Sequence, residues 1–364
     1  MDVLPLAQRL VAIDSVNPGM GGPGEAEIAG AAAAWAGEAG LEVELDEAAT
    51  GRPNVIATAR GTGGGRTLML NGHLDTVGHG SMADPLTPRV EDGRLYGRGA
   101  YDMKGALAAC FVTAARAAQL RLRGDVVVTA VVDEELASIG TESVLARVRA
   151  DAAIVAEPTQ LRAAIAHKGF VAFEIETHGT AAHGSRPDLG VDAIASMGPV
   201  LVELEALDRA LRDRPAHGLV GTGSLHAGVI QGGSEFSTYP ERCLLQAERR
   251  TIPGERAAQV ESEIQALLDR AGLRGTWRVV AARDPFEIAP EEEIARLVCA
   301  QAQAPEPVGE SFWTDAALIA AHGIPTVLFG PGGEGAHAAV EWVSIADLER
   351  CAEALLGVAR AFCA

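Results

Sequence analysis

This chain has no Cys-x-x-Cys pair, no surplus of basic residues and no apolar run long enough to cross a membrane, and each absence removes a class of function. Its five cysteines, Cys110, Cys243, Cys299, Cys351 and Cys363, are odd in number and widely scattered. They predict neither a disulfide framework nor a thiolate zinc site, and reduced thiols in the cytoplasm are the expectation. Lys and Arg number 30 against 49 Asp and Glu, a formal charge of -19. A surface of that sign repels phosphate backbones and anionic lipid faces, so neither nucleic acid nor membrane is an expected partner. No stretch reaches the roughly 18 uninterrupted apolar residues of a membrane span. The N-terminal MDVLPLAQRLVAIDSVNPGM has an acidic second residue and no long apolar export core.

What is present fits a compact α/β enzyme: 364 residues, 48% hydrophobic, 22% charged, only 4% aromatic, with 42 glycines. Thr67–Asn71, Val126–Val132, Ala152–Ala156 and Thr326–Phe329 read as strands buried on both faces, with 24–39 a helix before them and Met103–Gln119 a helix between the first two. That alternation predicts helices packed on a mainly parallel sheet. The stretch from about Lys168 to Arg283 reads differently. Val171–Thr177 alternates, Val191–Leu211 is helical, and Leu219–Ile230 and Arg242–Arg249 are extended. Glu255–Ala271 is helical again and Thr276–Ala281 extended, a β-α-β-β-α-β order of ferredoxin-like type. The expected organisation is a catalytic domain of 1–168 and 284–364, interrupted by a lid and dimerisation domain at 169–283. The GTGGG run at 61–65 precedes a strand and lacks a following Gly-Lys-Ser/Thr, so it reads as a surface turn, not a phosphate cradle.

Residues able to ligate a metal follow four of the apolar strands. TLMLN runs into His73-Leu74-Asp75, VVVTAVV into Asp133-Glu134-Glu135, AAIVA into Glu157, and TVLF through Gly330-Pro331-Gly332-Gly333 to His337. Ligands gather outside the carboxyl ends of strands in open α/β sheets, so these groups are expected in one crevice. Histidine with several carboxylates and no cysteine suits zinc, cobalt or manganese, and the acidic surplus fits a cation site. Asp75 is placed to hold the second ring N–H of His73. If the strand continues through Glu134 and Glu135 the two point apart, implying one ligand and one general base. Asp102, before a helix in GRGAYDMKG, can bridge two cations; Thr314-Asp315 reads as a helix cap with access to the cleft.

HLD at 73–75, GRGAYDMKG at 97–105, DEE at 133–135, AEPT at 156–159, AHGSRPDLGVDAI at 182–194 and GEGAH at 333–337 occur in that order. With these motifs the chain resembles, over essentially its whole length, a dinuclear zinc hydrolase family. That family includes aminoacylases, acetylornithine deacetylases, succinyl-diaminopimelate desuccinylases and glutamate carboxypeptidases. The resemblance implies two divalent ions, one held by His73 and Glu157, the other by Glu135 and His337, with Asp102 bridging and the Asp102-Met103 peptide cis. It makes Glu134 the general base, Asp75 the orienting group of His73, and His183 an oxyanion donor that reaches a neighbouring subunit. Arg250 becomes the receptor of the substrate carboxylate, and a cation with backbone donors, Gly332 and Gly333 among them, is expected around it. Ser237, in Ser237-Thr238-Tyr239-Pro240, stands where many relatives carry asparagine, which shortens one contact and places the Tyr239 ring nearby. Glu157 is the residue of deacylases and carboxypeptidases at that position. The implied activity is metal-dependent removal of an acyl group from a small N-acyl amino acid by metal-activated water, in a homodimer. A carboxypeptidase or dipeptidase is the alternative within the family, and a non-catalytic ligand-binding protein a remote one.

Overall fold

The four apolar segments form neighbouring, mutually parallel strands at the centre of one sheet. Their order is Val126–Val131, Leu68–His73, Ala152–Val155, Thr326–Leu328. Every residue of the first three is buried, as the uninterrupted hydrophobicity requires. Arg52–Ala59 and Glu42–Ala49 extend one flank antiparallel, and Ala164 pairs antiparallel with Leu328 on the other.

The computed structural model describes residues 1–364. It divides into a unit of Met1–Ile165, Ile288–Val308 and Thr314–Ala364, and a unit of Ala166–Glu287 with Gly309–Trp313. In the first, the alanine-rich helix Gly105–Ala118 leaves only Arg116 and Ala118 outside the core and packs on the helix Ile345–Phe362. It starts later than the sequence pattern suggests, because Asp102 (φ -115°, ψ 92°) and Met103 (φ -135°, ψ 32°) are not helical. The peptide between them is cis. A small antiparallel sheet runs Gly333–Glu334, Trp342–Ser344, Arg94–Tyr96, Arg89–Glu91. Strands of two or three residues are too short to show periodicity, so none is visible in the sequence.

The second unit is a four-stranded antiparallel sheet ordered Ser224–Gly232, Arg242–Thr251, Gly169–His178, Gly275–Arg283. The helices Ala193–Arg212 and Ala257–Ala271 complete the β-α-β-β-α-β order. Alternation along Gly169–His178 points Val171, Phe173 and Ile175 at Met197, Val200, Leu204, Ile264 and Leu267. Burying side chains of this size stabilises the unit by about 1.5–3 kcal/mol each. The first helix is capped by Asp192, which accepts the Ala195 N–H at 2.9 Å. Gly309–Trp313 has no sequence signature of its own but is bound here: the Lys168 N–H donates to Glu310 O (3.3 Å) and Trp313 Nε1 to Asp284 O (3.1 Å).

Candidate metal centre

Parallel register aligns the strand ends that carry the candidate ligands. His73 pairs with Val131, Asn71 with Val155, and Leu328 with Val155. His73 is the last residue of its strand, and Glu157 follows the neighbouring strand by two positions. His337 (φ 62°) sits in the loop joining Gly333–Glu334 to Trp342–Ser344, and Asp102 in the irregular segment after Arg94–Tyr96.

These elements bring five candidate ligands together. His73 Nε2 lies 3.1 Å from Asp102 Oδ1 and 3.8 Å from Glu157 Oε1. His337 Nε2 lies 3.2 Å from both Asp102 Oδ2 and Glu135 Oε2. Asp102 thus turns one oxygen toward each imidazole. His73 Nδ1–H donates to the main-chain carbonyl of Asp75 at 2.9 Å. A carbonyl only accepts, so in a neutral ring the Nε2 lone pair faces two carboxylates, an arrangement that needs a positive charge between them. Glu135 Oε1 is buried with no hydrogen-bond partner. Two imidazoles, three carboxylates and an orphaned carboxylate oxygen fit a pair of divalent cations.

The Val126–Val131 strand does not continue through Glu134 and Glu135. It ends before Asp133 (φ 70°), whose carbonyl accepts the N–H groups of Ala137 and Ser138 and closes a turn. Both glutamates therefore reach the centre: Glu135 groups with His73 and Asp102, Glu134 with His73 and Glu157. The turn is held by Asp75, which is fully buried. Its Oδ1 accepts the Glu134 N–H at 3.1 Å and its Oδ2 the Glu135 N–H at 3.2 Å. The Asp75 carboxylate is 3.7 Å from His73 Nδ1, so it is the carbonyl that orients the ring.

Sequence reasoning missed the layer behind Asp75. Asn17 Nδ2 donates to Asp75 Oδ2 (2.8 Å) and to Asp133 Oδ1 (2.9 Å), and Asp133 pairs with Arg52 (2.8 Å), which also binds the buried Glu25. Asp315 differs from its expected role. Its carboxylate does not cap the following helix but accepts from Thr141 Oγ1 at 2.6 Å, while Thr314 Oγ1 takes the Ala316 N–H.

Electrostatics mark the same cluster. Burial pushes Glu157 up to about 8, with Asp102, Glu135 and Asp315 adding to it and His73 opposing. Burial likewise holds Glu134 well above the carboxylate range, reinforced by Glu157, Asp315 and Glu135. Burial would lower His73, but Asp102, Glu157 and Glu134 outweigh it and leave the imidazole well above its ordinary value. His337 is raised to about 10 by its hydrogen bonds to Asp102 and Glu135. More carboxylates converge here than two imidazoles can balance once all are ionised, a condition that divalent cations satisfy.

Gly332 and Gly333 lie in the hairpin that carries His337. The Gly332 carbonyl accepts the Ser344 N–H (2.9 Å), the Gly333 carbonyl accepts from Gln160 Nε2 (2.9 Å), and a Cβ at Gly333 would meet Trp342 O at 2.4 Å. Within the second unit, His183 is exposed and its Nδ1 accepts the Ser185 N–H at 3.2 Å, which leaves the ring proton on Nε2. Ser237 is exposed, with its carbonyl accepting the Gly184 N–H at 2.6 Å; the Tyr239 ring packs against Gly190. Arg250 donates Nε–H to Glu248 Oε1 at 2.6 Å and stacks 5.5 Å from the Phe170 ring centroid.

Comparison with known proteins agrees with this architecture. The model of peptidase family M20/M25/M40 matches residues 69–361. An acetylornithine deacetylase of Myxococcus xanthus is 36% identical over 332 residues, 88% of this chain and 86% of that protein. The fold is shared with an M20 family metallo-carboxypeptidase from Sulfolobus solfataricus at TM-score 0.84, 18% identity, covering 100% of this chain and 99% of the other. It is also shared with a dinuclear metal binding peptidase of Bacillus subtilis at TM-score 0.75, 16% identity, covering 99% and 97%. With a family model spanning most of its length and a relative above 30% identity over most of both chains, this chain belongs to peptidase family M20/M25/M40 and is a hydrolase.

Proposed function

We propose that this hydrolase removes the acyl group from a small N-acyl amino acid. The observation that carries the reading is the cluster of two imidazoles and three carboxylates with a further carboxylate, Glu134, beside it. His73 and Glu157 would hold one divalent ion, Glu135 and His337 the second, and Asp102 both. Zinc is the expected metal, with cobalt or manganese able to replace it. Bound ions supply Lewis acidity, polarising the scissile carbonyl and lowering the pKa of the attacking water.

The chain's own residues do the rest. Glu134, fixed through its N–H on Asp75, takes the proton of the attacking water and delivers it to the leaving amine. Burial raises its proton affinity above that of a free carboxylate, the direction a group that must also return a proton needs. The family resemblance further assigns His183 to donate Nε2–H to the oxyanion in a neighbouring subunit's site, and Arg250 to receive the amino-acid carboxylate. Ser237, Gly332 and Gly333 complete the groups assigned to substrate.

Acyl removal draws support from the acetylornithine deacetylase relatives, which match at 36% and 28% identity over most of the chain. Cleavage of a dipeptide or a C-terminal residue is the second reading, favoured by the carboxypeptidase and carnosine dipeptidase among the structural neighbours. Turnover of N-acetyl and N-succinyl amino acids against dipeptides, with zinc, cobalt and manganese each supplied, separates the two. The N-acyl amino acids are expected to be hydrolysed; if they are inert and a dipeptide is cleaved, the second reading replaces the first.

The five cysteines are all unpaired and buried, which supports a cytoplasmic location, and no helix is long and apolar enough to cross a membrane. A homodimer is supported by the outermost strand Ser224–Gly232, whose residues His226–Gly232 are exposed along an unpaired edge. Sedimentation should give twice the chain mass; full activity at the mass of one chain would exclude the dimer.

A further inference from the structure

We infer that Glu341 is a positioning residue for the metal centre: its carboxylate ties the segment carrying Asp102 to the hairpin carrying His337. The inference rests on the dinuclear reading above and deepens it.

Glu341 is a glutamate whose side chain is wholly buried, and four donors converge on it. Its Oε2 accepts from Arg98 Nη1 at 2.7 Å and from the Gly99 N–H at 3.1 Å. Its Oε1 accepts the N–H groups of Tyr101 at 2.9 Å and Asp102 at 3.1 Å. The segment from Arg98 to Asp102 is irregular: Gly99 is left-handed (φ 78°) and Asp102 is not helical. Buried main-chain N–H groups need acceptors, and here one side chain provides three of them.

The same pair reaches the other ligand. Arg98 Nη2 donates to the carbonyl of Ala338, the residue after His337, at 3.1 Å. Main-chain pairing of Trp342 with Tyr96 brings the two segments side by side, but it does not set the atoms of Asp102. The Glu341 carboxylate does, through the Asp102 N–H itself. Asp102 has little latitude, because its two oxygens lie 3.1 and 3.2 Å from the two imidazole nitrogens. Supporting groups of this kind typically change metal affinity or activity by about 10–100-fold when removed.

Both oxygens of Glu341 must accept, since donors face each of them. In Glu341→Gln one oxygen becomes an NH2 group, which would face either Arg98 and Gly99 or Tyr101 and Asp102, donor against donor. The test titrates metal-free wild type and Glu341→Gln with zinc by calorimetry, alongside kcat and KM at limiting and excess zinc and urea denaturation. The expected result is two ions in the wild type and a fall of about 10–100-fold in affinity for at least one in the variant. Hydrolysis should drop at limiting zinc and recover toward wild type with excess zinc, with KM within about threefold. Wild-type zinc affinity in the variant overturns the inference, as does a loss of activity that follows destabilisation alone and ignores added zinc. If the variant fails to fold, Arg98→Lys keeps a charge opposite Glu341 but removes the fork to Ala338. It should weaken one ion in the same titration, and unchanged binding overturns the inference. A wild-type chain that binds no zinc defeats the dinuclear reading and this inference with it, whereas two ions bound equally by wild type and variant defeat this inference alone.

Discussion

Glu134→Gln should lower kcat on N-acyl amino acids by about 10²–10⁴-fold, the usual worth of a positioned acid–base group, with both cations retained. The substitution keeps the shape of the side chain and leaves the Glu134 N–H on Asp75 in place, so the turn survives. What it removes is the ability to take and return a proton. The geometry makes this a demanding test, because the Glu134 carboxylate lies as close to His73 and Glu157 as a ligand would. Kinetics and metal content of the same preparation separate the possibilities. Loss of kcat with two ions bound supports proton transfer, loss of an ion makes Glu134 a ligand, and undiminished hydrolysis removes it from the chemistry.

Asp75→Ala should damage both stability and turnover, for one physical reason. The carboxylate is completely buried and accepts from Asn17, from the Glu134 N–H and from the Glu135 N–H. Hydrogen bonds to a charged acceptor contribute about 1.5–3 kcal/mol each, and orphaned buried donors add a desolvation penalty. Against this, the variant no longer buries a charge, which recovers part of the loss. A net destabilisation of about 2–5 kcal/mol is expected in urea denaturation. Activity should fall by about 10–100-fold even where the protein remains folded, because the turn presenting Glu134 and Glu135 loses its anchor. Asp75→Asn, which keeps one acceptor and the volume, should be less destabilised but still impaired in kcat. A wild-type denaturation midpoint for Asp75→Ala would show that the turn holds itself.

The contrast between these two residues shows what was legible in the sequence. Glu134 stands out in the sequence because two adjacent acids after an apolar strand are a chemical pattern in themselves, and the structure groups its carboxylate with His73 and Glu157. Asp75 was recognised for the wrong contact: spacing placed it near His73, but its carboxylate serves the turn, and its carbonyl serves the ring. That turn is not legible because an apolar run gives no sign of where extended backbone stops; the strand ends at Val131 and Asp133, at φ 70°, turns the chain. The central strands were legible because burial on both faces leaves long apolar runs. Arg98 and Glu341 were not, being separated by most of the chain and joined through strands of three residues. The same holds for Asn17 and Arg52, whose importance lies entirely in tertiary partners. Gly309–Trp313 joins the second unit only through contacts with Lys168 and Asp284, which no local pattern announces.

The central claim is that His73, Asp102, Glu135, Glu157 and His337 form a two-cation centre on which hydrolysis depends. The most direct measurement adds zinc stepwise to metal-free protein and follows hydrolysis of an N-acetyl amino acid together with bound zinc. Activity is predicted to be absent without metal and to reach its plateau at two equivalents per chain. Undiminished hydrolysis by the metal-free protein, or a plateau with no zinc retained, would contradict the account.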